Sequence, residues 1–234
     1  MNKPADPNTE GMDFATVMAS TVHDMKNTMA MMLQTYETWL ERLPPELTEA
    51  PERGIIQYES MRLHGMLVQL LGLYKMETNR LPVNPGYFDV EDFLQDQLAR
   101  HDDVLRSRHI TGDYEIEEDG LMGFFDHDLV SSVVANVINN SIRYAKSTIS
   151  LRAWMEHEKL IISICDDGEG YPEAMIEQQA NYAAGIRMST GSTGLGLYFG
   201  QQIAQLHQRN DERGYIELRN DSPLGGGEFR LILP

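Results

Sequence analysis

Two apolar rows at heptad spacing run from about Gly11 to Leu43. One row holds Met18, Met25, Met32 and Trp39; the other holds Val22, Met29, Tyr36 and Leu43. Alternating steps of three and four over more than three heptads predict a long helix packed as in a coiled coil or bundle. Pro44-Pro45 ends it, because proline removes an amide donor and clashes with the preceding turn. A polar connection to about Pro51 leads to a second helix, from roughly Glu52 to Met76. Its apolar face uses Ile56, Leu63, Met66, Leu70 and Leu73, widened by Leu67, Leu71 and Tyr74. A stripe that wide suits a bundle interior. Two helices alone bury too little to be stable, so a second copy is expected to close a dimeric four-helix bundle. The methionine stripe is read as ordinary core.

Past a Pro- and Asn-rich linker, Asn79 to Gly86, the periodicity changes. Val90 to Leu105 is predicted helical, with Phe93, Leu94 and Leu98 on one face. Ile110 to Ile116 alternates like a strand. A strong helix, Leu129 to Tyr144, precedes two strands, Thr148 to Met155 and Leu160 to Cys165. Leu195 to Leu206 is a further helix. Tyr215 to Leu218 and Glu228 to Leu233 are the closing strands, joined through Gly225-Gly226-Gly227. Helices mixed with largely hairpin-linked strands imply an α+β sandwich, one sheet with helices on one face.

The formal net charge of −17 makes nucleic acid and anionic membrane poor partners. A single cysteine, Cys165, excludes an internal disulfide framework and fits a reducing cytoplasm. No apolar run is long enough to span a bilayer, so no membrane insertion is expected, and no signal peptide is visible. The chain reads as a complete cytoplasmic protein or as the core of a longer one.

Three elements of the second half carry nucleotide chemistry. The helix to Tyr144 sets Asn136 and Asn140 four residues apart on one face, with Arg143 a turn on. A neutral asparagine carbonyl suits Mg²⁺ and a guanidinium suits phosphate; taken alone, the asparagines are equally explained as solvated or capping. Asp166 ends an apolar strand, where a carboxylate can accept from an exocyclic amine such as adenine's. Gly168 and Gly170 let the backbone turn sharply beside a flat ring. Gly194, Leu195 and Gly196 open a helix whose free N–H groups suit phosphate.

His23 falls just off the heptad seam, on the solvent rim. Asp24 beside it can act as base or orient the ring, and Lys26 and Asn27 lie a turn on. The remaining histidines, His64, His101, His109, His127, His157 and His207, are read as solvated surface residues.

Together the asparagine helix, the Asp-x-Gly-x-Gly turn and the glycine loop resemble the nucleotide-binding fold shared by histidine kinases, gyrase-type ATPases and related chaperones. The resemblance runs from roughly Pro82 to the end. Phe125-Asp126 before the asparagine helix and the closing Gly226 to Pro234 segment resemble histidine kinases specifically, as does the His-acidic-x-x-Asn pattern at His23. The whole chain therefore resembles a histidine kinase catalytic core: a tail over 1–10, a dimerisation and histidine phosphotransfer hairpin over 11–80, and an ATP-binding domain over 81–234. The resemblance implies ATP and Mg²⁺ as cofactors, Asn140 as the metal ligand, Asp166 as the adenine-binding carboxylate, and Asn136, Arg143, Gly168, Gly170, Gly194, Leu195 and Gly196 as further nucleotide contacts. It implies His23 as phosphoacceptor and Asn27 as the residue that orients water in the reverse reaction. Three departures stand out. Arg143 replaces a usual lysine, and Thr28 replaces a usual proline. The usual phenylalanine motif is missing between Tyr171 and Thr193, where Arg187 is the candidate lid cation.

The leading reading is a two-component sensor histidine kinase core. ATP phosphorylates His23, and the phosphoryl group passes to an aspartate on a response-regulator receiver domain, with phosphatase activity through Asn27. The protein would act as a homodimer and take its input from a separate sensory protein. Two other readings remain: a signalling adaptor or phosphotransfer module with little ATP turnover, and a serine kinase or gyrase-like ATPase that leaves the hairpin idle.

Overall fold

The computed structural model describes residues 14–40, 42, 51–177 and 194–234. The expected tail over 1–10, the lid with Arg187, and Leu43 to Pro45 lie outside the described residues. Helix α1 spans Phe14–Leu40 and helix α2 spans Pro51–Glu77. Thr28, where a proline was noted as usual, continues α1 and returns its hydroxyl to the Asp24 carbonyl at 2.9 Å; a hydroxyl there keeps the amide donor that proline would remove.

The second half follows as β1 (Gly86–Asp89), α3 (Val90–Ser107), β2 (Thr111–Ile116), β3 (Met122–Phe125), α4 (His127–Tyr144), β4 (Thr148–Glu156) and β5 (Lys159–Asp166). Then come the short α5 (Glu173–Glu177), α6 (Leu195–Leu206), the small hairpin β6 (Gln208–Arg209) and β7 (Glu212–Arg213), β8 (Tyr215–Arg219) and β9 (Glu228–Leu233). Five strands form one mixed sheet in the order β2-β4-β5-β9-β8. Only β2 and β4 run parallel, with Thr111 opposite Thr148. A parallel pair needs a crossover, and α4 supplies it. β1 and β3 make a separate antiparallel pair, of which the sequence marks only Gly86, as the end of the linker, and Phe125, as the lead-in to α4.

One face of the sheet is apolar. Ile149 and Leu151 of β4, Ile162 and Ile164 of β5, and Phe229 and Leu231 of β9 are buried against Val134 and Ile138 of α4 and Phe199 and Ile203 of α6. Two helices start on aspartate caps. Asp89 accepts from the Asp92 amide and Asp126 from the Leu129 amide, each replacing a hydrogen bond that a first turn lacks.

Helix α2 docks the hairpin on this half. Gln69, buried, donates from Nε2 to Asn136 Oδ1 at 2.5 Å. The Tyr58 hydroxyl donates to the Asn139 carbonyl at 3.3 Å, and the Arg108 guanidinium lies 4.5 Å from the Tyr58 ring centroid. A Cβ on Gly72 would come within 2.7 Å of Phe199 Cε2, so α2 approaches α6 closely there. On the other side, Val22 of α1 packs with Leu67 and Leu71. The row Met25, Met32, Trp39 was expected in a seam, yet stands 49%, 63% and 55% exposed in the single chain.

Two histidines read as solvated are core residues. His207 donates from Nδ1 to the Ile203 carbonyl and accepts from the Asp126 amide at Nε2, both at 2.9 Å. His101 donates from Nδ1 to the Gln97 carbonyl at 2.7 Å. Burial pushes both pKa values below the ordinary 6.5, against the raising effect of those backbone bonds. His64, half-buried between the hairpin helices, is lowered by burial and by Lys26. His109, His127 and His157 keep exposed or partly exposed surface positions.

Two outcomes follow from this packing. A folded-state histidine pKa below the unfolded value gives stability that is complete above about pH 6.5 and declines as pH falls through that value. The melting temperature should therefore drop between pH 7.5 and pH 5.5. His207→Gln should flatten part of that slope, and an unchanged slope would contradict the neutral, doubly bonded ring. Gly72→Ala should destabilise by about 1–3 kcal/mol through overpacking on Phe199. Gly65→Ala on the same helix, whose Cβ would meet nothing within 4 Å, should instead stabilise by up to about 1 kcal/mol. Thermal unfolding of the two variants checks the sign of each.

Candidate active site

β5 delivers Asp166 to the end of a strand buried along nearly its whole length, leaving the carboxylate itself buried. Its Oδ1 accepts from the Gly168 amide at 3.0 Å and the Gly227 amide at 3.3 Å; Oδ2 accepts from the Ser141 hydroxyl of α4 at 3.2 Å. A buried ionised carboxylate needs such donors. Oδ2, with one partner, keeps capacity to accept another hydrogen bond.

The backbone around Asp166 is crowded to the point of excluding side chains. A Cβ on Gly168 would lie 2.5 Å from the Tyr144 carbonyl oxygen. Gly226 is equally constrained by the Asp166 carbonyl and the Gly168 amide. Asp167 closes the loop between α4 and β4. It accepts from the Ser147 hydroxyl at 2.6 Å and from the Lys146 and Ser147 amides at 2.8 and 3.1 Å. Its partial burial opposes ionisation, but those donors outweigh it and hold the carboxyl at about 2. Asp167 and Ser141 carry no role in the sequence reading, and Gly226 figures there only in the closing segment and not as a neighbour of Asp166.

The other expected nucleotide residues lie on α4, on the turn after β5 and at the start of α6. Asn140 and Arg143 are exposed on α4, and the Arg143 guanidinium lies 5.4 Å from the Tyr144 ring centroid. Asn136 lies deeper. Its Oδ1 is taken by Gln69, and its Nδ2 is buried without a partner among the described residues. That Nδ2 is 2.5 Å from where a Cβ on Gly196 would sit, so the asparagine helix and the glycine loop meet there. Gly194 caps α6 in the left-handed conformation, φ 57°, with Leu195 and Gly196 leading into the first turn. The first amides of that turn have no carbonyl partner within the helix. Nothing in the sequence pointed to Gln69 as a partner of Asn136, since the two are 67 residues apart.

His23 sits in the first half of α1 with its side chain 54% exposed. Its Nδ1 is 3.4 Å from Asp24 Oδ1 and 3.3 Å from Asn27 Nδ2. The three residues expected to act together are therefore in contact around one ring nitrogen. No hydrogen bond joins Nε2 to a described residue. When Asp24 accepts from Nδ1–H, the lone pair is on Nε2; when Asn27 donates to Nδ1, the proton is on Nε2.

Among the described residues no group of three His, Cys, Asp or Glu side chains could hold a metal ion, and no helix is long and apolar enough to cross a membrane.

Residues 125–234 match the family described as histidine kinase-, DNA gyrase B- and HSP90-like ATPase. The adaptive-response sensory kinase SasA of Synechocystis sp. is 24% identical over 233 residues, covering 93% of this chain and 58% of that protein. The chain thus spans less than two thirds of that relative's length. Among solved structures, the histidine kinase AdeS of Acinetobacter baumannii aligns with a TM-score of 0.58 at 18% identity, over 90% of this chain and 96% of that one. Histidine kinase ThkA, in complex with response regulator protein TrrA, aligns with a TM-score of 0.54 at 16% identity, over 93% of this chain and 60% of that one. Structural likeness at these identities speaks for the fold. Over residues 125–234 the chain is similar to the ATPase family of histidine kinases, gyrase B and HSP90, and as a whole its fold resembles that of solved histidine kinases.

Proposed function

We propose that this chain is the core of an ATP-dependent protein-histidine kinase of a two-component pathway. The hairpin over 11–80 is the dimerisation and phosphotransfer unit, and 81–234 is the ATP-binding unit. The observation that carries the reading is the exposed His23 ring, with Asp24 and Asn27 both within reach of Nδ1, on a chain whose residues 125–234 match an ATPase family.

In this reading adenine donates its amine to Asp166 Oδ2, while Arg143 and the amides of Gly194, Leu195 and Gly196 meet the phosphates. Gly168 and Gly170 let the backbone approach the base, and Asn136 joins the asparagine helix to the glycine loop. Asn140 would hold a Mg²⁺ through its neutral side-chain oxygen, and the metal would supply charge neutralisation for the transferring group. His23 Nε2 attacks the γ-phosphorus, the bond to the β,γ-bridging oxygen breaks, and ADP leaves. Asp24 takes the Nδ1 proton, so the phosphorylated ring ends neutral. The phosphoryl group then moves to an aspartate of a response-regulator receiver domain. Asn27, a turn along the helix, orients water for the reverse, phosphatase reaction.

A homodimer completes the hairpin in a four-helix bundle. Leu63, Met66 and Leu70 on α2 are 38–39% exposed, and Met25, Met32 and Trp39 on α1 are more so. That apolar surface is the kind a second copy covers. The compartment is the cytoplasm, and a separate sensory protein supplies the input.

A signalling adaptor is the second reading, favoured by one contact: Gln69 already occupies Asn136 Oδ1. Calorimetry with an ATP analogue and Mg²⁺ separates the two, because the kinase binds saturably and the adaptor does not.

Incubation with γ-labelled ATP tests the kinase reading directly. Wild type should acquire acid-labile label, and His23→Ala should acquire none. Asp166→Asn should label about 10–100-fold more slowly, the cost of one lost hydrogen bond to a charged group. Label that persists on His23→Ala would refute the assignment.

A further inference from the structure

The five-stranded sheet ends on β2 at one side and on β8 at the other. The β8 edge is covered. Gln201 of α6 accepts from the Ile216 amide at 3.1 Å, and α5 packs beside the strand. The β2 edge is open: Thr111 to Glu115 are all exposed, and no described strand pairs beyond it. The Thr111 amide donates to the Ser147 carbonyl and the Glu117 amide to the Ala153 carbonyl, so the odd-numbered residues bond on the β4 side. By alternation Gly112, Tyr114 and Ile116 turn their amides and carbonyls outward. Among the described residues none bonds to them there.

The two faces of that edge differ. Gly112, Tyr114 and Ile116 lie on the face toward α3. The missing side chain at Gly112 lets α3 reach the strand, since a Cβ there would sit 2.9 Å from Leu105 Cδ1 and 3.1 Å from Leu98 Cδ2. These leucines, with Ile110, line a groove of about 540 Å³ whose charged members are Asp102 and Arg106. The Tyr114 hydroxyl accepts from Gln95 Nε2 at 2.7 Å and donates to Glu91 at 3.0 Å, which holds the ring along α3. The opposite face carries Asp113 and Glu115, the latter paired with Arg152 at 2.9 Å. Residues 91–119 hold ten carboxylates against three arginines, and Arg106 is already bound to both Asp102 and Asp103 at 2.8 Å. The edge is therefore apolar on one side and acidic on the other.

An open edge offers main-chain bonds to any extended segment, and the flanking surface decides which one fits. A second copy is a poor occupant, because pairing β2 with β2 sets Asp113 and Glu115 beside like charges. We propose that β2 is a docking edge for an extended basic segment of a partner protein. The segment adds as a further antiparallel strand. Its apolar side chains lie on Leu98, Leu105 and Tyr114, and the Lys or Arg residues that alternate with them face Asp113 and Glu115. This goes beyond the kinase reading and does not rest on it.

The probe is the synthetic heptapeptide KVKIKVK, labelled with fluorescein and titrated with the full chain by fluorescence polarisation. Saturable binding is expected, weakening as salt is raised; none at low salt would overturn the proposal. The peptide KSKSKSK, equal in charge, should bind at least about tenfold more weakly, since it buries no apolar side chain. Equal binding would mean general attraction to an acidic surface and would overturn it. N-methylation of the Val and Ile residues removes the amides that face β2 and should abolish binding, whereas N-methylation of the Lys residues should spare it. Two N-methylated peptides that bind alike would rule out strand addition. Asp113→Lys should weaken KVKIKVK about 3–10-fold, the effect of reversing one cross-strand charge pair, with the melting temperature kept. In amide hydrogen exchange, peptide should protect Gly112, Tyr114 and Ile116; protection confined to other strands would overturn the assignment. Protection of those three amides that rises with chain concentration in the absence of peptide would give the edge to a second copy and overturn it as well.

Discussion

The buried carboxylate of Asp166 organises the second half of this chain. It ends the central region of the sheet, and its oxygens draw donors from α4, from the turn after β5 and from the start of β9. Desolvating an ionised group without partners would cost far more than the few kcal/mol that keep a domain folded. The three donors therefore have to be in place together. That requirement explains the absence of side chains at Gly168, Gly226 and Gly227, where backbone from two elements must pass close enough to donate. It also ties the glycine turn to the sheet rather than leaving it a surface loop. Asp167 repeats the device one residue on, binding the start of β4 from outside.

Much of this was legible in the sequence where a signal was local. The span predicted for α6 coincides with the observed Leu195–Leu206, and that for β9 with Glu228–Leu233. Each is a continuous apolar pattern with glycine before it. The other long elements of the second half differ from expectation by a residue or two at their ends, where caps such as Asp126 decide the boundary, while α1 is described over Phe14–Leu40 of the expected Gly11 to Leu43. What escaped was short or two-sided. β1 and β3 have four residues each, too few to show alternation, and Tyr87 and Phe124 stay exposed. The turn between β4 and β5 uses His157 and Glu158, both at positive φ, where nothing in the residue types announces a hairpin. Asn210-Asp211 fills the same role between β6 and β7 with residues that do favour it.

The candidate site divides along the same line. The spacing of Asn136 and Asn140, and of Asp166 with Gly168 and Gly170, is a local property, and a sequence can display it. The bonds of Gln69 to Asn136 and of Asn220 to Tyr171 join residues 67 and 49 apart. Neither Gln69 nor Asn220 belongs to a motif, and only the fold brings them to their partners. His101 and His207 were misread for a related reason. A histidine in or just after a helix looks the same in sequence whether its ring turns to water or into the core.

Helix α2 shows why the hairpin and the second half are not independent units of packing. At 100° per residue its side chains fall into three sectors. Leu67 and Leu71 meet Val22 of α1. Tyr58, Gln69 and Gly72 point roughly opposite, toward α4 and α6. Leu63, Met66 and Leu70 occupy the sector between and remain open. A helix apolar on nearly all sides is built to be surrounded, which is why its stripe reads as too wide for a simple pair. The turns of α2 that carry Leu67 and Leu71 also carry Gln69, so Val22, and His23 beside it, stand at the level of the contact with Asn136. One rigid helix therefore sets two heights at once: that of the imidazole on α1 and that of the asparagine helix bordering the Asp166 carboxylate. A rotation or slide of α2 cannot move one of these without repacking the other. This packing joins the element that carries the exposed ring to the second half, in a chain that places His23 and Asn136 more than 100 residues apart.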